Sequence, residues 1–274
     1  MPGETVEDAF REAATLRERG VPAIITMLGE NVETADQTRG VVDEYARALE
    51  EARRRDLAVE VSVKPTHLGL DQDPDLAARN VSELAGLAQG RGTVWIDMES
   101  SAYVRATLDL YTGVKAEHDN VGVCLQSYLR RTPTDLDRLL PLSPRIRLVK
   151  GAYAEPPELA FPVKADVDAS YLALARKLLD HLAGGGGGFV GFGTHDSKII
   201  EGMIEETRAR GLTREHFEFE MLFGIGRREQ ESLIDRGLPL RILISYGEAW
   251  FPWYMRRLAE RPANVWFVVR SLVR

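Results

Sequence analysis

Several residues able to do chemistry stand at or near the C-terminal ends of short apolar runs. Lys64 ends LAVEVSVKP. A lysine in that setting is costly without a counter-charge or a ligand. Asp97 lies between apolar neighbours in WIDM. A buried carboxylate needs a partner, and Lys64 on the preceding run is the expected one, forming an ion pair that flanks a substrate. Gln126, in CLQSY, donates and accepts at once, which suits the edge of a heteroaromatic ring. In IRLVKGAY, Arg147 and Val149 share one face of an extended chain, and Lys150 begins the turn outward. Gly151 and Ala152 are small enough for a ligand to touch backbone. Thr194 and His195, in GTHD just before a helix, offer a hydroxyl, an imidazole and helix amides to an anion. Arg256 and Arg257, in WYMRRLAE, are separated by about 100° of helix rotation. Such a pair suits the bidentate grip of a carboxylate, and Trp250, Phe251, Trp253 and Tyr254 surround it. Each group also has a plain structural reading. Lys64 can snorkel to solvent, Lys64 and Asp97 can form a purely structural pair, His195 can cap a helix, and the arginines can belong to a solvated face.

These residues need a scaffold that brings run ends together. Eight apolar runs recur: 23–30, 57–65, 93–100, 121–128, 146–153, 189–196, 217–224 and 240–247. Seven intervening gaps can hold a helix. The pattern predicts a single α/β domain over residues 1–274, a (β/α)8 TIM-type barrel preceded by an N-terminal helix at 5–20. Such barrels place their chemistry at the C-terminal strand ends. Helices are expected at about 34–55, 75–89, 101–117, 133–140, 167–183 and 227–237, with a further one over 248–260 and a closing segment, VWFVVRSLVR. The long connection AEPPELAFPVKADVDAS contains three prolines, which argue against continuous helix. Long loops on that face often cover a site. Five glycines, 184–188, follow a helix and open a strand, the reverse of a phosphate-cradling loop.

The formal net charge is −7, without the basic footprint of a nucleic-acid binder. Nor does it favour an anionic membrane surface. The single cysteine, Cys124, excludes an intramolecular disulfide and a cysteine metal cluster, and it reads as a small core residue. No apolar stretch approaches the roughly 18 residues of a membrane span, and the acidic N-terminus lacks a signal-peptide core. A cytoplasmic protein with no integral membrane segment is expected. HExxH, a GxSxG elbow and a dinucleotide glycine fingerprint are all missing, so no metal site is expected.

In order, SVKPTHLGL, WIDMESS, GVCLQSYLRRT, RLVKGAYAEP, FGTHDSKII, FEFEMLFG and WFPWYMRRLAERPAN resemble the proline dehydrogenase family, flavin-dependent barrels that oxidise proline. The resemblance spans roughly residues 20–273. It implies FAD, with FMN as the lesser flavin, across the C-terminal mouth. It implies Arg147 beside flavin N5, Val149, Lys150, Gly151 and Ala152 along the cofactor, Met98 and Gln126 against its ring, and Thr194 and His195 along its tail. Lys64 and Asp97 then lie beside the substrate amine, and Tyr153 and Leu222 line the substrate pocket. Arg256 and Arg257 clamp the carboxylate, with Glu260 orienting them. Asp97 and Arg147 are expected at the reacting atoms. The implied partners are an amino-acid substrate and an electron acceptor, whether quinone, oxygen or a redox protein.

The chain departs from the family pattern at three mouth positions. Leu243 stands where the family has a tyrosine that packs on the substrate ring, Pro65 replaces a leucine, and His67 adds a polar group. The family's helices before the barrel are short here. A larger or differently shaped, more apolar pocket is expected, serving oxidation of proline or a related secondary-amine amino acid to the imine by hydride transfer to flavin N5. Two further readings stay open: a lyase using Lys64 or Lys150 as a Schiff base, and a protein that binds flavin or amino acid without turnover.

Overall fold

The alternation of each apolar run is resolved by a closed, all-parallel barrel with strand order β1 to β8. The computed structural model describes residues 1–29 and 31–248. The strands are β1 (Ala23–Met27), β2 (Val59–Val63), β3 (Val94–Ile96), β4 (Val121–Gln126), β5 (Arg145–Val149), β6 (Phe189–Gly193), β7 (Phe217–Leu222) and β8 (Leu240–Tyr246). The helices are α1 (Val6–Glu18), α2 (Ala35–Arg54), α3 (Pro74–Ala88), α4 (Val104–Lys115), α5 (Thr132–Leu139), α6 (Lys164–Ala183), α7 (Ser197–Ala209) and α8 (Arg227–Asp235). The helix expected over 248–260 and the closing segment lie, apart from Glu248, outside the described residues.

Local chemistry sets the boundaries. Thr5 and Thr34 each accept from the backbone three residues on, and Asp8 and Gln37 return the bond, so capping boxes start α1 and α2. Pro74 at the first position of α3 loses no hydrogen bond. The strands are shorter than the runs that announced them: β1 ends at Met27 and β3 at Ile96. The remaining residues of each run turn away from the ladder and furnish the mouth. Residues 150–163 contain no helix, as their prolines require. The glycine run lies between α6 and β6. At Gly188 (φ +123°) a Cβ would meet Pro144 O at 2.3 Å, so this glycine is steric in purpose.

The outward faces of the strands, such as Val61, Ile146, Phe219 and Ile242, join one large core with the helices. Inside the barrel a second apolar cluster joins Ile24, Trp95 and Phe189, with Leu243 packed against it. Much of the remaining interior is charged, with Glu60, Arg147, Glu218, Glu220 and Arg241 in ion pairs, unlike the branched apolar layers usual in this fold. One tie closes the β1–β2 seam beyond its last ladder pair, Ile25–Val61. The buried Tyr45 hydroxyl accepts from Met27 N and donates to Ser62 O, both at 2.9 Å. Tyr45→Phe strands both backbone groups and is expected to cost about 1–3 kcal/mol. Urea denaturation checks this, and an unchanged midpoint would show that the tie contributes nothing.

Candidate active site

The C-terminal strand ends enclose a cavity of about 720 Å³. The sequence expectations converge on it strand by strand. Lys64 reaches it from the end of β2, Asp97 and Met98 follow β3, and Gln126 ends β4. From β5 and its loop come Arg147, Val149, Lys150, Gly151, Ala152 and Tyr153. Thr194 and His195 follow β6, Leu222 ends β7, and Leu243 points inward from β8. Arg256, Arg257 and Glu260 lie outside the described residues.

Arg147 forms the floor and is 4% exposed. Its Nε donates to Glu220 Oε2 at 2.5 Å, and its Nη1 donates to Asp97 Oδ1 at 3.0 Å and Ser62 Oγ at 2.7 Å. Its guanidinium carbon stands 4.6 Å from the Trp95 ring centroid. Burial opposes its charge, but Glu220 and Asp97 outweigh that and hold its pKa above the ordinary arginine value. This corrects the expected Lys64–Asp97 pair. Asp97 pairs with Arg147 and also accepts from Ser62 Oγ at 2.7 Å. Lys64 makes no ion pair among the described residues. The reason is reach: Arg147 crosses the barrel interior from β5, whereas Lys64 follows the last residue of β2 and opens a 3₁₀ turn at Pro65.

The rim at β5 and β6 is an ion cluster. Lys150 Nζ lies 2.5 Å from Asp168 and 2.8 Å from Asp196, and Lys164 joins the same two carboxylates. Burial works against Asp196, but the two lysines bring its pKa down to about 2. Asp196 also caps α7, accepting from Lys198 N. The amide anion site expected at that helix end is therefore occupied by the chain's own carboxylate. Thr194 Oγ1 accepts from Asp196 N, and His195 Nε2 accepts from Leu222 N at 3.2 Å.

The expectation that Pro65 and His67 shape the mouth is also corrected, since neither borders the cavity. His67 is buried with its ring against Gly29, where a Cβ would sit 2.6 Å from it. Burial, then the charge of Lys64, lowers its pKa to about 4. Thr66 donates from both N and Oγ1 to the buried Glu99, and this pins the turn.

The residues fit a flavin. Among the described residues, Gln126 Oε1 and Arg147 Nη2 are buried without hydrogen-bond partners. An acceptor and a donor thus stand available at the floor, as the edge of a ring with both kinds of polar atom requires. Gly151 (φ +115°) keeps its face of the cavity flat: a Cβ there would meet the Tyr128 ring at 2.3 Å. No group of acidic, histidine or cysteine side chains among the described residues could hold a metal. No described helix is long and apolar enough to cross a membrane.

Reading the sequence overlooked Glu220, Ser62, Trp95 and Asp168. The missed signal was strand parity: Ser62 and Trp95 alternate with outward apolar residues, as do Glu218 and Glu220 in FEFEML. In a barrel sheathed by helices the polar set of such a strand faces inward.

The sequence profile of the proline dehydrogenase family matches residues 9–270. The chain is 36% identical over 260 residues to proline dehydrogenase 2 of Bacillus subtilis, covering 94% of this chain and 84% of that one. It is 34% identical over 280 residues to the proline dehydrogenase of Deinococcus radiodurans, covering 100% and 89%. Among solved structures, proline utilization A of Bdellovibrio bacteriovorus superposes with a TM-score of 0.84 at 22% identity. That match covers 94% of this chain but only 32% of the longer one, and it shows the fold.

Proposed function

The chain belongs to the proline dehydrogenase family, and from that premise we propose how its cavity serves the reaction. The protein is a flavin-dependent oxidoreductase that oxidises proline or a related secondary-amine amino acid to the imine. A bound flavin would supply the two-electron acceptor for the hydride that leaves the carbon beside the amine. FAD is the flavin we assign. The continuity of the cavity from Gln126 to Thr194 and His195 supports room for the nucleotide tail.

The residues divide the remaining work. Gln126, Met98 and Val149 hold the ring, and Lys150, Gly151 and Ala152 border it. Arg147 presents its free Nη2 from the floor, where a fixed cation stabilises arriving negative charge without reorganisation. Asp97 has Oδ1 engaged by Arg147 and Ser62, which leaves Oδ2 to accept from the substrate amine. Lys64 offers its ammonium beside it. Arg256 and Arg257 take the carboxylate, and Tyr153 and Leu222 bound the ring of the substrate. Fixing the two ends of a small amino acid in this way supplies several kcal/mol of positioning. Electrons then leave to a quinone, oxygen or a redox protein. The lyase reading is not favoured: both neighbouring carboxylates engage Lys150, and the relatives are dehydrogenases.

The single observation that carries this reading is the convergence of Asp97, Gln126 and Arg147 on one cavity floor. Purified protein should be yellow, should release FAD on denaturation, and should bleach anaerobically with a secondary-amine amino acid. Flavin-loaded protein that no such amino acid bleaches would overturn it.

Leu243 supports a substrate preference beyond free proline. It lies beside Leu222 in register, and both border the cavity, so this wall offers bulk without a hydroxyl. Leu243→Tyr should raise kcat/KM for proline relative to pipecolate by about tenfold, the scale of one methylene in an apolar pocket. An unchanged ratio, or wild type already preferring proline strongly, sinks the idea.

A further inference from the structure

The barrel interior holds more acid than its guanidiniums can serve. Arg147 is shared by Asp97 and Glu220. Arg241 is shared by Glu218, at 2.7 Å from Nε, and Glu60, at 3.6 Å from Nη2. Glu60 has a further donor, Trp95 Nε1 at 2.6 Å, and Asp97 has Ser62. Glu220 has Arg147 alone. Its Oε1 is buried with no hydrogen-bond partner among the described residues, and only the missing side chain of Gly191 makes room for it, since a Cβ there would lie 2.1 Å away. The third inward guanidinium, Arg145, is stacked on Phe189 and pairs with none of them, so four ionised carboxylates would share two guanidiniums and bury excess negative charge under the place where hydride must arrive.

The geometry points to Glu220 as a positioning residue: it fixes the Arg147 guanidinium through Nε and, by carrying a proton, keeps that guanidinium's charge from being cancelled twice over. The inference rests on the flavin reading only for its consequence, not for the proton itself.

The surroundings agree. Acting on Glu220 are Glu60 from β2, Cys124 from β4, Arg147 from β5, Glu218 on its own strand and Arg241 from β8, while Asp97, just beyond β3, shares its guanidinium. β6 contributes only glycines beside it, with His195 beyond its end. Tyr171 of α6 approaches from the outer layer, but its hydroxyl is bonded to Leu148 O. Burial, against the pull of Arg147, raises the Glu220 pKa above the ordinary carboxylate value, and burial pushes Glu218 up to about 7. A group whose folded pKa is raised binds its proton more tightly folded than unfolded. Its carboxylate therefore costs stability as pH rises through that folded value.

Glu220→Gln keeps the acceptor for Arg147 Nε in a permanently neutral side chain. Two measurements test the proposal. In apoprotein, isotope-edited infrared spectroscopy with labelled glutamate, followed through a pH titration, should show a protonated carboxyl band that Glu220→Gln removes and Glu218→Gln leaves. A band that persists in Glu220→Gln and disappears in Glu218→Gln would overturn the assignment. In flavin-loaded protein at the pH where that band is half lost, anaerobic dithionite reduction in weak buffer with a pH indicator should take up more protons per flavin in wild type than in Glu220→Gln. Negative charge arriving above raises the proton affinity of Glu220, and solvent supplies the proton. Equal uptake would overturn the link to Arg147. Protein that binds no flavin would count against the functional reading alone, because the infrared result still decides where the proton sits.

Discussion

Arg147→Met is expected to unfold the apoprotein earlier and to slow flavin reduction together. The substitution leaves the buried Glu220 and the part-exposed Asp97 without the guanidinium they share. Breaking the pair with Asp97 and stranding the buried Glu220 carboxyl together cost about 3–5 kcal/mol, and in a chain of this size that corresponds to a fall of roughly 10 °C in melting temperature. Loss of a fixed donor aimed at developing charge slows chemistry by about 10²–10³-fold. Calorimetry of the apoprotein reads the first effect, and stopped-flow reduction reads the second. Arg147→Lys should rescue neither fully, because a lysine cannot span Nε and Nη1 contacts to two carboxylates at once. A variant that melts with wild type and is reduced at the wild-type rate would remove Arg147 from the account.

Gly151→Ala should be nearly as damaging, through the backbone. At φ +115° an L side chain is strained, and its Cβ would stand 2.3 Å from the Tyr128 ring. Strain of this kind costs about 1–3 kcal/mol. Expressed in cofactor affinity, about 2 kcal/mol weakens flavin binding roughly 30-fold. Tyr128→Ala in the same chain should relieve the collision and leave the strain, restoring part of the affinity. Equilibrium titration of apoprotein with FAD measures both. Wild-type affinity in Gly151→Ala would show that this loop is free to reshape and does not border the ring.

Alternation along each strand encodes which face is buried, but not which charges meet inside the barrel. Strand positions were legible because each run keeps an apolar outer face, as in Val59, Val61 and Val63. Strand ends pointed to Lys64, Asp97, Gln126, Arg147, Lys150, Thr194 and His195, and the family resemblance added Met98, Tyr153, Leu222 and Leu243; all of them border the cavity. Partners were not legible. Asp97 invites pairing with the nearest cation on the neighbouring run, yet a side chain from β5 reaches across the interior and takes it. Asp196 looks like part of an anion site until its carboxylate is seen capping α7. His67 reads as a mouth residue, but the 3₁₀ turn over Pro65–Leu68 folds it into the core. Glu220 was hidden by the habit of assigning the polar face of a strand to solvent. In a helix-sheathed barrel that face is the interior, where charges must find one another at distances no spacing rule specifies.

The account stands on a single cavity that takes both cofactor and amino acid above Arg147. A crystal structure of the FAD-loaded protein with an unreactive proline analogue tests this most directly. The prediction is an isoalloxazine ring bordered by Gln126, Val149 and Gly151, with Arg147 Nη2 donating to its polar edge and the analogue's carboxylate held by Arg256 and Arg257. Flavin bound away from the β5 strand end, with Arg147 still sealed between Asp97 and Glu220 and touching neither ligand, would contradict it.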